Sequence, residues 1–127
     1  MLLVDEVNAG EDGRSYGKYT VRGDEFFLQG HFPEAPVVPG VILCEMASQA
    51  SCAITAEETR GKLTLFAGMD RVRFKAPVRP GDTVEFVCEE LRHRGGFHVI
   101  RAEGRVEGKV CLCGEFTFFL ADPKEMK

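Results

Sequence analysis

A chain of 127 residues, 44% hydrophobic and 28% charged, has the composition of an ordinary globular protein, enough for one substantial core and too little for two domains. Its net charge of −4 argues against a nucleic-acid surface, which requires a basic balance, and leaves room only for a local basic patch facing an acidic partner. No apolar run approaches the roughly 20 residues of a membrane span, and the start MLLVDEVNAGEDG has neither the basic nor the apolar region of an export signal, so a cytoplasmic location is expected.

Leu2 to Val7 reads as a short, partly buried strand, followed by a turn over Asn8 to Arg14, where Asn8, Gly10, Asp12 and Gly13 tolerate tight backbone. Tyr16 to Val21 alternates as a second strand. Phe26, Phe27 and Leu28 form an apolar cluster that anchors the loop after it. Pro39 and Gly40 mark a helix start, because proline fits a first turn whose N–H is unpaired in any case. The helix is expected from about Gly40 to Glu57. Val41, Ile42, Cys44, Ala47, Ala50, Ala53 and Ile54 ring it, so it reads as buried nearly all round, with its small residues letting a sheet approach closely. Arg60–Gly61–Lys62 is a fitting cationic, glycine-containing end.

Strands follow. Leu63 to Phe74 carries a break at Gly68, and Pro77 to Asp82 is a connecting turn. Thr83 to His93, Phe97 to Val106 and Val110 to Leu120 are long β runs joined by the hairpin turns Arg94–Gly95–Gly96 and Glu107–Gly108–Lys109. One buried helix with long antiparallel strands predicts an α+β fold, one domain over residues 1–127, in which a curved sheet wraps the helix. The five cysteines (Cys44, Cys52, Cys88, Cys111 and Cys113) are odd in number and contain no C-x-x-C. They read as reduced core thiols, not as zinc ligands or a disulfide framework.

The stretch from Gly30 to Gln49, GHFPEAPVVPGVILCEMASQ, concentrates the chemistry. His31 lies in a loop. Val41, Glu45 and Gln49 follow at four-residue spacing and therefore stack on one helix face. A base, an acid and the free N–H groups of a helix start, which can polarise a carbonyl oxygen, are thus tied to one rigid element. His93 and His98 flank a hairpin turn and carry no expected catalytic role.

Gly30, His31, Phe32, Pro33, Pro36, Pro39, Gly40, Val41, Glu45 and Gln49 fit the pattern G-H-F-P-G-x-P-x-x-P-G-V-x-x-x-E-A-x-x-Q. In these residues the chain resembles the FabZ-type (3R)-3-hydroxyacyl-[acyl carrier protein] dehydratases of type II fatty acid synthesis. LLVDEV, LFAGMDRVRFKAPVRPGD (Leu65 to Asp82) and VEGKVCLCGEF extend the resemblance over nearly the whole chain. It implies the hotdog fold, a helix wrapped by an antiparallel sheet, and a site formed across a homodimer interface with one residue from each subunit, three dimers often making a hexamer. Two residues depart from the pattern: Glu34 stands where glycine is usual and Met46 where alanine is usual. The start is also shorter than the family's leading segment. These departures bear on substrate range.

Under that resemblance His31 is the base for the proton beside the thioester. Glu45 is the acid that protonates the departing 3-hydroxyl, a role requiring burial to keep its carboxyl protonated. Gly40, with Val41 beside it, offers its N–H to the thioester oxygen. Gln49 either holds the carboxyl in place or simply packs. Leu65, Phe66, Ala67 and Gly68 line the acyl tunnel, although core packing explains Leu65 and Phe66 equally well. Arg71, Arg73 and Lys75 alternate on one strand face and either meet the acidic carrier protein or form a solvated face. No metal, nucleotide or other cofactor is expected, since the thioester acidifies the proton and two side chains move it. The alternatives are a dehydratase that also isomerises the trans-2-enoyl product to a cis-3-enoyl one, a hotdog acyl thioesterase using Glu45 to activate water, and a non-catalytic acyl-binding subunit.

Overall fold

A computed structural model describes residues 2–28, 36–56 and 62–122. Six strands form one antiparallel sheet: β1 (Glu6–Ala9), β2 (Ser15–Thr20), β3 (Leu63–Phe74), β4 (Thr83–Arg94), β5 (Phe97–Val106) and β6 (Lys109–Ala121). Their spatial order is β1-β2-β4-β5-β6-β3, which leaves β1 and β3 as the edges. One helix, α1 (Gly40–Ala50), packs on the face built from β2, β4 and β5. Among the described residues no helix is long and apolar enough to cross a membrane.

The strands form because their buried residues recur every second position. Val84, Phe86 and Cys88 on β4, Ile100 and Ala102 on β5, and Leu112, Phe116, Phe118 and Leu120 on β6 are all buried. With Met46, Ala47 and Ala50 of α1 they make the core. The hairpin between β5 and β6 turns at Glu107–Gly108, both with positive φ (50° and 80°). That is the primed turn whose twist matches the strands it joins.

α1 sits close to the sheet because its facing residues are small. A Cβ on Gly17 of β2 would come within 2.7 Å of the Ala50 Cβ, so both positions must stay small for this contact. The Ser15 hydroxyl donates to the Ala50 carbonyl at 2.5 Å, and the Cys88 thiol faces the Ala47 carbonyl at 3.9 Å.

Several boundaries differ from the sequence-based expectation, each for a local reason. β1 begins at Glu6 rather than Leu2. Leu3 and Val4 are buried, but the Leu3 N–H donates to the Gln49 side chain at 2.6 Å instead of to a strand. Asn8 and Ala9 pair with Tyr16 and Ser15, so the turn shrinks to Gly10–Arg14. α1 stops at Ala50 rather than near Glu57. Ser15 takes up the Ala50 carbonyl and the Ser51 hydroxyl takes up that of Ser48 at 2.7 Å, satisfying the orphan acceptors of a helix end without another turn. Glu57 and the Arg60–Gly61 pair lie outside the described residues.

Nor is the helix buried on all sides within one chain. Val41 is 73% exposed, and Ile42, Glu45, Ser48 and Gln49 are half-buried. The cysteines divide as well: Cys44, Cys88 and Cys111 are buried, Cys113 is half-buried and Cys52 is exposed, all five being free thiols. Burial pushes the Cys88 thiol up to about 12, which makes it an inert packing group.

Candidate active site

The open face of α1 gathers the polar chemistry. Pro39 precedes the helix with extended backbone (φ −58°, ψ 146°) and supplies no side-chain cap. Its carbonyl accepts from Ile42 and Leu43 at 3.0 and 3.2 Å. The Gly40 and Val41 N–H groups have no acceptor among the described residues, so the positive end of the helix dipole remains available to an oxygen from outside the helix. The segment entering the helix is held to the sheet by the Val38 N–H, which donates to the Val78 carbonyl at 2.8 Å.

Gly40 has a second constraint. A Cβ there would lie 2.8 Å from the tip of the Phe74 ring, so the last residue of β3 lies against the helix start. Phe74 is itself 54% exposed. From sequence alone, glycine at this position serves to offer its N–H and to open the helix. The aromatic ring that makes a side chain here crowded was missed, and its sequence signal is no more than an apolar residue just after the charged stretch Asp70–Arg73 of a mostly apolar strand.

One turn into the helix stands Glu45, half-buried rather than enclosed, because the face it shares with Val41 is uncovered in a single chain. The Gln49 amide donates through Nε2 to Glu45 Oε1 at 3.2 Å. Its other end accepts the Leu3 N–H at 2.6 Å, which sets which way the amide points and aims its NH2 at the carboxylate. Gln49 is thus hydrogen-bonded both to the Glu45 carboxyl and to the Leu3 backbone. The Leu3 backbone was not foreseen as part of this arrangement.

His31 and its neighbours Gly30, Phe32, Pro33 and Glu34 lie outside the described residues. The chain approaching them is firmly seated. A single 3-10 turn at Phe26–Leu28 buries Phe27 and Leu28 while Phe26 stays exposed. Ahead of it Glu25 accepts from the Tyr19 hydroxyl at 2.6 Å and from the Arg22 and Gly23 N–H groups, both at 2.8 Å. Burial alone would raise the Glu25 carboxyl, but these donors outweigh it and hold the group at about 2. Tyr19, desolvated and facing that carboxylate, is pushed up to about 12.

The segment assigned to the acyl tunnel divides across the sheet. The Phe66 ring lies 5.3 Å from that of Phe118 and 6.1 Å from that of Phe116, placing it on the helix side. Leu65 pairs with Phe119 and so faces the opposite way. The register shifts between Phe66 and Gly68, so the expected break at Gly68 is a bulge with Ala67 as the extra residue. Leu65 and Phe66 are 37% and 42% exposed, which core packing within one chain does not explain. A cavity of about 270 Å³ lies on the helix side of the sheet, lined by Ser48, Gln49, Ser51, Cys52, Thr55, Thr64 and Phe118.

The basic residues of β3 do not alternate simply. A second register shift falls between Asp70 and Arg73, with Arg71 at φ 54°. The bulge turns Arg71 onto Glu115, at 3.0 Å, and that carboxylate also meets Arg92 at 3.4 Å. Arg73 is exposed, and Lys75, also exposed, lies beyond the end of β3 and so does not belong to that strand face.

Comparison with known proteins gives this geometry its context. The family model described as "ApeI-like: ApeI dehydratase" matches residues 8–110. The chain is similar to the 3-hydroxyacyl-[acyl-carrier-protein] dehydratase FabZ of Bacillus cereus (strain AH820), 43% identical over 127 residues, covering 98% of this chain and 88% of the relative. It is also similar to FabZ of Streptococcus equi subsp. zooepidemicus, 38% identical over 120 residues, covering 93% and 86%. Among solved structures, the dehydratase heterocomplex ApeI:P from Xenorhabdus doucetiae superposes with a TM-score of 0.80 at 20% identity, covering 98% of this chain and 86% of that one. A point mutant of the fluoroacetyl-CoA-specific thioesterase FlK does so at 0.76 and 19%, covering 96% and 93%. At those identities the structures establish the shared fold, and the reaction class rests on the sequence relatives. The chain is a hotdog-fold member of the FabZ-type 3-hydroxyacyl-[acyl-carrier-protein] dehydratase family, a family of hydro-lyases.

Proposed function

We propose that this chain catalyses the reversible dehydration of a (3R)-3-hydroxyacyl thioester on acyl carrier protein to the trans-2-enoyl thioester. The observation that carries the reading is the Leu3–Gln49–Glu45 hydrogen-bond chain on the open face of α1, one turn from an uncapped helix start. In this reading the thioester oxygen accepts from the Gly40 N–H, with the Val41 N–H beside it. Both donors stabilise the negative charge that develops when the adjacent carbon loses its proton. His31, as neutral imidazole, takes that proton, and Glu45 delivers one to the 3-hydroxyl as the C–O bond breaks and water leaves. Proton transfer and carbonyl polarisation suffice, so no cofactor has a role in the step.

The site is completed in this reading by a second copy of the chain. β3 is an edge strand, and Met69, Phe74 and Phe66 on it are 53%, 54% and 42% exposed, as is Val41 of α1 at 73%. A monomer that left this much apolar side chain on a bare edge would invite pairing. Pairing β3 with β3 of a second copy covers that edge and closes the half-open cavity beside Gln49. Three such dimers make the hexamer that the family resemblance implies. Leu65, Phe66, Ala67 and Gly68 then flank the acyl channel, and Arg71, Arg73 and Lys75 form the cationic surface that meets the carrier protein.

The test is hydration of a trans-2-enoyl thioester, followed as loss of enoyl absorbance, in wild type, His31→Ala and Glu45→Gln. Activity that collapses in both variants supports both roles, whereas wild-type rates in His31→Ala refute the assignment. Product analysis for a cis-3-enoyl thioester, and release of free thiol, separate isomerase and thioesterase chemistry in the same samples.

A further inference from the structure

The far end of the β4–β5 hairpin holds a second cluster of titratable groups that the dehydration does not use. His93 and His98 are directly opposed across the two strands, flanking the Gly95–Gly96 turn, and opposed residues point to the same side of a sheet. In a regular strand Glu90, three residues before His93, would face the other way. The register shift between Glu90 and Arg92 makes Leu91 the extra residue of a bulge, and that shift brings Glu90 back to the histidine side. The result is compact. Glu90 Oε2 lies 2.6 Å from His98 Nδ1, and the two imidazoles stack at 4.0 Å between centroids with planes 17° apart. One donor atom from each of the three residues falls within 4.8 Å of the others. His98 is 1% exposed, Glu90 half-buried and His93 exposed.

We propose that Glu90, His93 and His98 form a binding site for a borderline divalent transition-metal ion, with Zn2+ and Ni2+ as the representative probes. Two imidazoles and one carboxylate are the ligand set these ions prefer, and three protein ligands leave further positions to water. The metal takes the place of the proton shared between Glu90 and His98 Nδ1. Bond lengths of about 2.0–2.2 Å set ligand atoms somewhat over 3 Å apart, so the short Glu90–His98 contact opens by under about 1 Å while the third ligand closes in by about 1–2 Å. That closing motion belongs to His93. Stacked rings cannot aim both lone pairs at one ion, so the exposed imidazole turns edge-on and gives up its 3.2 Å contact with the Gly95 carbonyl. Arg92 does not oppose the charge at close range, being drawn to Glu115 at 3.4 Å. The site rests on the hairpin geometry alone and is independent of the proposed dehydration.

Calorimetric titration of chelator-treated, full-length protein with NiCl2 and with ZnCl2 tests this, using wild type, His93→Ala, Glu90→Gln and Cys52→Ser. Wild type is expected to bind one ion per chain saturably at neutral pH. His93→Ala and Glu90→Gln should weaken binding by about tenfold or more, at least what loss of a mere supporting residue costs. His93 is exposed, so its variant keeps the fold, which thermal unfolding without metal verifies. Cys52→Ser should bind as wild type does. Absence of saturable binding overturns the site, as does unchanged affinity in His93→Ala. Loss of binding confined to Cys52→Ser assigns the metal to a surface thiol and overturns it too.

Discussion

Two of the bonds made by Gln49 have separable consequences. In Gln49→Leu the Leu3 N–H, on a buried residue, loses its acceptor at 2.6 Å, and Glu45 loses the donor at 3.2 Å. An unsatisfied, mostly buried N–H costs about 1–3 kcal/mol, which for a chain of this size lowers Tm by roughly 4–12 °C. Releasing the Glu45 carboxyl from its orientation should cost kcat about 10–100-fold, the scale on which misplacing a reacting group by 1 Å is felt, while KM moves little. Gln49→Glu distinguishes the two effects. It keeps an oxygen for the Leu3 N–H and restores Tm, but it faces Glu45 with a second carboxylate oxygen instead of an N–H, so turnover stays low. Tm by scanning calorimetry and kcat and KM from enoyl-thioester hydration give the comparison. Wild-type turnover in Gln49→Leu, or recovery of both quantities in Gln49→Glu, would refute a positioning role for this amide.

Gly40→Ala should be nearly neutral for stability, within about 1 kcal/mol, because the exposed Phe74 ring can retreat about 0.6 Å from the 2.8 Å clash to ordinary contact. Hydration should nevertheless slow about tenfold as the helix start is disturbed, and Phe74→Ala in that background should restore part of the rate. A double-mutant cycle with no coupling counts against the contact. Glu25 is held at about 2 against an ordinary 4.5. The stabilisation it contributes is therefore complete above about pH 4.5 and is lost as pH falls through about 2, up to roughly 3 kcal/mol in all. Denaturant unfolding between those limits should show a slope in wild type that flattens in Glu25→Gln, and parallel pH profiles would remove Glu25 as its source. Met69→Glu, placing a charge on the bare β3 edge, should block pairing and yield monomers with little hydration activity. Sedimentation at an unchanged mass would show that β3 is not the interface.

The strands were legible because their information is local. Val84, Phe86 and Cys88, or Phe116, Phe118 and Leu120, declare a buried face by alternation alone, and Glu107–Gly108 declares its turn by composition. β5 ran as expected from Phe97 to Val106 and β3 from Leu63 to Phe74. Pro39–Gly40 likewise marks the helix start, and the four-residue spacing of Val41, Glu45 and Gln49 puts them on one face by helix periodicity alone. The helix end was not legible. Apolar and small residues continue past Ala50, and what stops the helix is a hydroxyl on Ser15, 35 residues away.

The sequence by itself determined the fold class, the placing of Glu45 one turn into a helix that starts at Pro39–Gly40, and the family, because each depends on residue type at short, regular spacing. Tertiary structure alone decided which groups serve those residues. Leu3 aims Gln49 across a separation of 46 residues, and Phe74 closes over Gly40 from the end of an edge strand. Bulges in β3 and β4 reassign Arg71 and Glu90 to faces that simple alternation would deny them. Such contacts follow from register and packing between distant segments, where a one-residue shift reverses the face of every side chain beyond it.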